Sequence, residues 1–102
     1  MGGPDEVIHQ TTRLRIMATL YVLPGNEQLE FTRLRGILNA TDGNLGTHLG
    51  TLEAAGYIKV SKDFVGRKPR TRISATAKGR RAFEAHVTFL RELLDKARIE
   101  QR

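Results

Sequence analysis

The hydrophobic period of this chain switches from helical to strand-like at Gly56, and that change limits the folds open to it. Upstream, Leu45, Leu49 and Leu52 are spaced four and three apart, the ridge of an amphipathic helix. Downstream, Tyr57-Ile58-Lys59-Val60-Ser61-Lys62 alternates as a half-buried strand does. Gly56 between them suits the left-handed cap that ends a helix. A helix must therefore hand the chain directly to a β-hairpin, whose return strand reads as Thr71-Arg72-Ile73-Ser74.

The rest of the order follows from caps and breakers. Residues 1–5 read as a loose end. Glu6 to Leu23 has helical spacing through Val7, Ile8, Leu14, Met17 and Tyr21, and Pro24-Gly25-Asn26 stops it. Leu29-Glu30-Phe31 is a short extended piece. Thr32 then caps a second helix striped by Leu34, Ile37 and Leu38. Asn39-Ala40-Thr41 is a tight link, and Thr41 caps a third helix of about residues 42–55. Asp63 to Arg70 reads as the hairpin loop, within a basic wing of about residues 62–72. Thr76 caps a last helix running to about Ile99. Two helices joined by a very short link, followed by a wing, make an α+β, mostly α fold. It is a winged helix-turn-helix with a three-helix core, a two- or three-stranded wing and a long C-terminal dimerisation helix. The expectation is one domain over residues 1–102, its core at about 7–75 and the dimerisation helix at about 76–99.

Composition narrows the function. With 17 Lys+Arg against 11 Asp+Glu, the formal charge is +6, which favours a polyanionic partner. No cysteine is present, which removes disulfides, thiolate metal sites and thiol nucleophiles. The longest apolar run, Ile16 to Leu23, is too short for a bilayer, and no signal peptide is legible. A cytoplasmic protein without membrane attachment is expected. His9, His48 and His86 fall on three different helices without a metal-binding spacing, with His86 expected on the exposed side of the last helix. Neither catalytic residues, nor a metal site, nor a cofactor is expected, and no enzyme.

Two groups of residues point to duplex DNA. On a helical wheel, Asn44, Thr47 and Thr51 fall within about 60°, roughly 110–130° from the leucine ridge, with His48 between, where it is expected to add a polar contact to DNA. Asn can read adenine and a Thr methyl can pack on a thymine methyl. An ordinary solvated face would carry Glu, Lys and Arg; this one carries weak helix formers and Gly43, Gly46 and Gly50. A helix that tolerates such glycines needs close approach to something. From Tyr57 to Arg81 the chain holds nine basic residues and one acid, Asp63. The densest run contains Arg67, Lys68, Arg70 and Arg72, suited to a phosphate backbone or a narrow minor groove. Thr32, Arg33 and Arg35 at the second helix, and Thr41 at the start of the third, complete the expected contacts.

The last helix would be about 36 Å long, against a radius of gyration of about 13 Å for a chain this size. Phe83, Val87, Leu90, Leu94 and Ala97 follow a 4-3-4-3 spacing, widened by Phe89 and Leu93. Val87, Leu90, Leu93, Leu94 and Ala97 are expected to meet a second copy, with Val7 and Ile8 at the edges. Two recognition helices would then read a near-palindrome, with half-sites about 34–36 Å apart. No site for a small-molecule effector is legible.

Arg13-Leu14-Arg15-Ile16-Met17, Phe31-Thr32-Arg33-Leu34-Arg35, Thr41 through Leu49 and Leu52 through Ile58 resemble segments of the MarR/ArsR-type winged-helix regulators. Phe64-Val65-Gly66-Arg67-Lys68-Pro69-Arg70-Thr71 with Thr76-Ala77-Lys78-Gly79-Arg80 resembles the wing and final helix of a short stand-alone subgroup. The resemblance covers about residues 7–95. It implies a homodimeric, sequence-specific and repressor-like transcriptional regulator that contacts DNA through the recognition helix and the wing. The family usually has Ser or Ala where this chain has Gly46. The alternatives are a winged-helix protein-interaction module and a non-specific nucleic-acid binder. The outer face of the third helix lacks the apolar or aromatic anchors that a protein interface needs.

Overall fold

Four helices and three strands follow one another as α1 (Thr11–Tyr21), β1 (Leu29–Glu30), α2 (Phe31–Leu38), α3 (Asp42–Ala54), β2 (Ile58–Val65), β3 (Lys68–Ala75) and α4 (Ala77–Glu100). The structure, a computed structural model, describes residues 3–25 and 27–101. Met1 and Gly2 of the expected loose end, Asn26 of the expected helix stop, and Arg102 lie outside them. The expected winged helix-turn-helix is the architecture observed. The three strands form an antiparallel sheet in the order β1-β3-β2, with Leu29 opposite Ile73 and Ile58 opposite Ala75.

Local chemistry sets the joints. The first helix starts later than its apolar spacing suggests. Gln10 takes an extended conformation and its side chain accepts from the Arg13 amide, so Glu6 to His9 form a separate turn. Asp5, expected in a loose end, ties that turn down by accepting from the amides of Val7 and Ile8 at 2.9 Å each. Between α2 and α3 the chain reverses at Asn39, whose φ of 52° is left-handed, a region Asn tolerates. The Asn39 and Ala40 amides donate back to Gly36 and Arg35, closing the end of α2. Thr41 caps α3, as expected, by accepting from the Asn44 amide at 3.2 Å. Gly56 ends α3 at φ 80°, with its own amide donating to Glu53 and that of Tyr57 to Leu52.

The core is a single apolar cluster. It joins Ile8, Ile16, Met17 and Leu20 to Leu34, Leu38, Leu45, Leu49 and Leu52, and closes on Ile58 and Ile73 of the sheet. Ile8 is fully buried there. It therefore drops out of the residues expected at a dimer edge, because no partner can reach it. The start of α4 is seated on the exit of α3. Thr76 Oγ1 donates to Gly56 O at 2.6 Å and accepts from the Gly79 amide. A Cβ on Gly79 would lie 2.0 Å from Tyr57 O, so only glycine lets α4 approach this closely. Beyond Phe89 every described residue of α4 is exposed, and the molecule extends over 62 × 25 × 23 Å.

Candidate nucleic-acid interface

α3 buries Leu45, Leu49 and Leu52 and turns Asn44, Thr47 and Thr51 outward with Gly43, Gly46 and Gly50. A Cβ on any of these three glycines would meet nothing within 4 Å. The close approach they permit is therefore not made within the chain. Thr47 Oγ1 donates to Gly43 O and Thr51 Oγ1 to Thr47 O, at 2.9 and 3.3 Å. Back-bonding fixes both side chains against the helix. His48, expected among the DNA contacts, is instead half-buried and engaged with α1, its Nδ1 3.2 Å from Arg13 Nη1. A guanidinium only donates, so Nδ1 accepts and Nε2 carries the proton.

The N-terminal end of α2 differs from its reading in the sequence. Its cap is Glu30, which makes no side-chain bond, and Thr32 lies one residue inside the helix. The first-turn amides thus lack a capping side chain, with Thr32 and Arg33 exposed beside them. Arg35 is engaged elsewhere. It donates to Asp42 Oδ1, joining α2 to the first turn of α3. That pair also neutralises the one acid in the first turn of α3.

The wing is longer and stiffer than expected. Asp63 to Arg70 is not a loop: the strands stay paired to Val65 and Lys68, leaving the two-residue turn Gly66-Arg67. Gly66 has φ 62°, as the first residue of a tight hairpin turn of type II′ requires. This register places Asp63 opposite Arg70. Asp63 accepts from Arg70 Nε and Nη2 at 2.9 and 2.7 Å, and from Arg72 Nη2 at 3.0 Å. The hydrogen bonds from Arg70, and the charges of both arginines, hold its carboxyl below the usual carboxylate range. Arg72 Nε is buried without a partner. Two of the four arginine and lysine residues expected on phosphate thus brace the hairpin, while Arg67 and Lys68 stay exposed at its tip. Between α3 and the wing lies an open groove of about 580 Å³, lined by Phe31, Gly46, Leu49, Gly50, Glu53 and Lys62 among others.

Other basic residues are structural too. Arg80 donates to the carbonyls of Tyr21, Leu23 and Gly25 at the end of α1. His86, expected to be exposed, is 3 % exposed, and its Nδ1 accepts from the Asp5 amide at 3.2 Å. Asp5 also accepts from the Tyr57 hydroxyl at 2.7 Å. Burial raises the Asp5 carboxyl, but that bond and the amides of Ile8 and Val7 outweigh it and hold the carboxyl below its ordinary value. The same bond pushes the Tyr57 phenol up to about 12. On α4, Val87 is half-buried, while Leu90, Leu93, Leu94 and Ala97 are exposed, Leu93 and Leu94 by more than half. Among the described residues, no cluster of His, Cys, Asp or Glu could hold a metal ion, and no helix is long and apolar enough to cross a membrane.

Sequence reading missed Asp63 as a brace and the exposed Phe64 and Val65 beside it. The Gly-Xaa pair at 66–67 was the available signal, since it marks a two-residue hairpin turn and so fixes the register.

A capped three-helix core, an exposed third helix and a braced basic hairpin define a DNA-binding winged helix. The chain belongs to the winged helix DNA-binding domain family, whose model matches residues 12–94. It is 36% identical over 88 residues to an uncharacterized protein of Methanocaldococcus jannaschii, covering 86% of this chain and 92% of that one. Among solved structures it resembles a transcriptional regulator homologue from Pyrococcus horikoshii at 28% identity and TM-score 0.81, covering 91% of this chain and 89% of that one. It also shares its fold with S. aureus MepR in a DNA-binding conformation, at 20% identity and TM-score 0.68, covering 96% of this chain and 72% of MepR.

Proposed function

We propose that two copies of this chain bind one DNA duplex as a sequence-specific transcriptional regulator of the MarR/ArsR type, acting as a repressor in the cytoplasm. α3 lies in the major groove, where Asn44, Thr47 and Thr51 face base edges and the glycines bring its backbone close. Arg67 and Lys68 reach the phosphates or the minor groove alongside. Thr32 and Arg33, at the uncapped start of α2, suit a further phosphate. Thr41 and Arg35 support the reading indirectly, by capping α3 and by neutralising Asp42. Arg70 and Arg72 support it by stiffening the wing.

The observation that carries the reading is the outer face of α3. It is exposed, short in side chain and open at three glycines, beside two exposed cations at the wing tip. A transcriptional regulator homologue among the similar structures supports the same reading. For dimerisation, the support is the exposed apolar run Leu90, Leu93, Leu94 and Ala97 on a helix that overhangs its own body, with half-buried Val87 on the same helix; Val7, half-buried against the core, would sit at the edge of the pair. Such a pair would read a near-palindromic operator with half-sites about 34–36 Å apart.

Selection of bound duplexes from a random pool by the purified protein tests this. Enrichment of a near-palindrome is expected. Replacing Arg67 and Lys68 by Ala should weaken binding to all duplexes and flatten its salt dependence. A pool that stays random after repeated selection overturns operator recognition.

A further inference from the structure

The wing hairpin carries a large apolar side chain where reaching DNA requires only charge. Phe64 is 70% exposed, next to the turn, and its partner across the strands is Pro69. Strand alternation places it. Ile58, Val60, Lys62 and Phe64 share one face of β2, opposite Ala75, Ile73, Thr71 and Pro69 of β3. Ile58 and Ile73 are in the core, and Val60, Lys62 and Thr71 line the groove against Gly46 and Gly50 of α3. The face that looks toward the recognition helix therefore continues outward to Phe64 and Pro69, roughly 7 Å beyond Lys62 at about 3.3 Å per residue. On the opposite face, one residue back, Asp63 ties down Arg70 and Arg72. The tip is thus a braced lever with an apolar point, flanked by the exposed cations Lys62, Arg67 and Lys68.

We infer that Phe64, backed by Pro69, is a wedge that enters the minor groove and partly unstacks one base step of the bound duplex. This rests on the duplex reading above and deepens it. A duplex offers what the tip complements: an anionic rim for the three cations, and stacked apolar faces within it for an aromatic ring. Pyrimidine–purine steps open most readily and are the steps such a wedge selects. The brace matters because a wedge must transmit force without folding back. Specificity then arises at a position where α3 makes no base contact.

The test uses a 30-base-pair duplex recovered from the random pool, with 2-aminopurine substituted at each adenine in turn. Wild-type protein should raise 2-aminopurine fluorescence at one step in each half-site. Phe64→Ala should abolish that rise and weaken binding roughly tenfold, with an unchanged salt slope, since no charge is lost. Phe64→Leu should restore most of the affinity and the fluorescence. All three proteins should melt alike, because the side chain is exposed. A Phe64→Ala protein with wild-type affinity and fluorescence overturns the wedge while leaving duplex binding intact. Loss of binding to phosphatidylglycerol vesicles, with duplex binding unaffected, overturns it in favour of a membrane contact. Failure of the wild-type protein to prefer any duplex overturns the underlying reading, and the wedge with it.

Discussion

Replacing Gly46 and Gly50 of α3 with alanine separates what these glycines cost the free protein from what they do on DNA. Both lie inside the helix, and an added Cβ at either meets nothing within 4 Å. Alanine therefore brings no clash in the isolated chain and removes a helix penalty of about 1 kcal/mol at each position. The double variant should gain about 1–2 kcal/mol, raising the melting temperature by roughly 5–15 °C for a chain this size. The two methyl groups would stand on the wing-side flank of α3, where both glycines line the groove, next to the face that carries Asn44, Thr47 and Thr51. If α3 enters the major groove, methyl groups on this flank hold its backbone off the duplex. Each spoiled base contact costs about 1–3 kcal/mol, so binding should fall roughly tenfold or more. Thermal melting and titration of the selected duplex read the two effects separately. Gly36→Ala in α2, also open and exposed, is the control that should gain stability without losing affinity. A more stable Gly46→Ala/Gly50→Ala protein that binds as wild type does would refute the idea that the glycines exist for close approach.

Gly79→Ala should do the opposite to stability, since its Cβ meets Tyr57 backbone at 2.0 Å; overpacking costs about 1–3 kcal/mol or more, and a wild-type melt would contradict the seating of α4 on the α3 exit. Leu90→Glu and Leu94→Glu should sediment as monomers, whereas Ile8→Ala should lose about 2–5 kcal/mol of stability and keep its association state; dimers surviving both glutamates would move the interface elsewhere. The Tyr57 phenol, raised to about 12 by its bond to Asp5, binds its proton more tightly folded than unfolded. The stability it contributes is therefore full below about pH 10 and lost as pH climbs toward 12; Tyr57→Phe should flatten that decline in alkaline melts, and an unchanged decline would exclude the bond as its cause. Asp63→Ala raises the formal charge from +6 to +7, yet specific binding should weaken as the wing loses its brace, while binding to random duplex holds or rises; stronger binding to both would show that the wing acts by charge alone.

Much of the fold was legible because it is written locally. Thr41, Gly56 and Thr76 act as read: each sits at a helix end whose orphaned amides or carbonyls only certain residues satisfy. The helix-turn-helix link was legible for the same reason, Asn39 tolerating the left-handed turn. What escaped reading depends on partners distant in sequence. The apolar spacing of Val7 and Ile8 fits a helix, but Gln10 breaks it and Ile8 packs into the core instead. Nothing near His86 indicates that Asp5, 81 residues away, donates its amide to it. Of the candidate site, the face of α3 was legible, since it needs only the helical period. The wing was misread because a charged stretch with Gly and Pro resembles a loop, and one register decision separates a loose tip from a braced one.

The basic surplus is therefore a poor measure of how this chain would hold DNA. Arg13 binds Val7 O and His48, Arg35 binds Asp42, Arg70 and Arg72 share Asp63, and Arg80 closes the end of α1. These five are the rigid parts of the molecule: a guanidinium makes several directed bonds from one planar group, so it can pin two elements at once. Arg33, Lys62, Arg67 and Lys68 remain exposed around the α2 start, the groove and the wing tip. A mobile cationic tail with the same net charge would release as many counterions but could not direct where the helix sits. Spending arginines on the frame lowers the charge available to phosphate, but it ties α3 to α1 and α2 and stiffens the wing hairpin. Two rigid parts, rather than a loose charge, would let Asn44 and Phe64 meet their proposed steps of the duplex together.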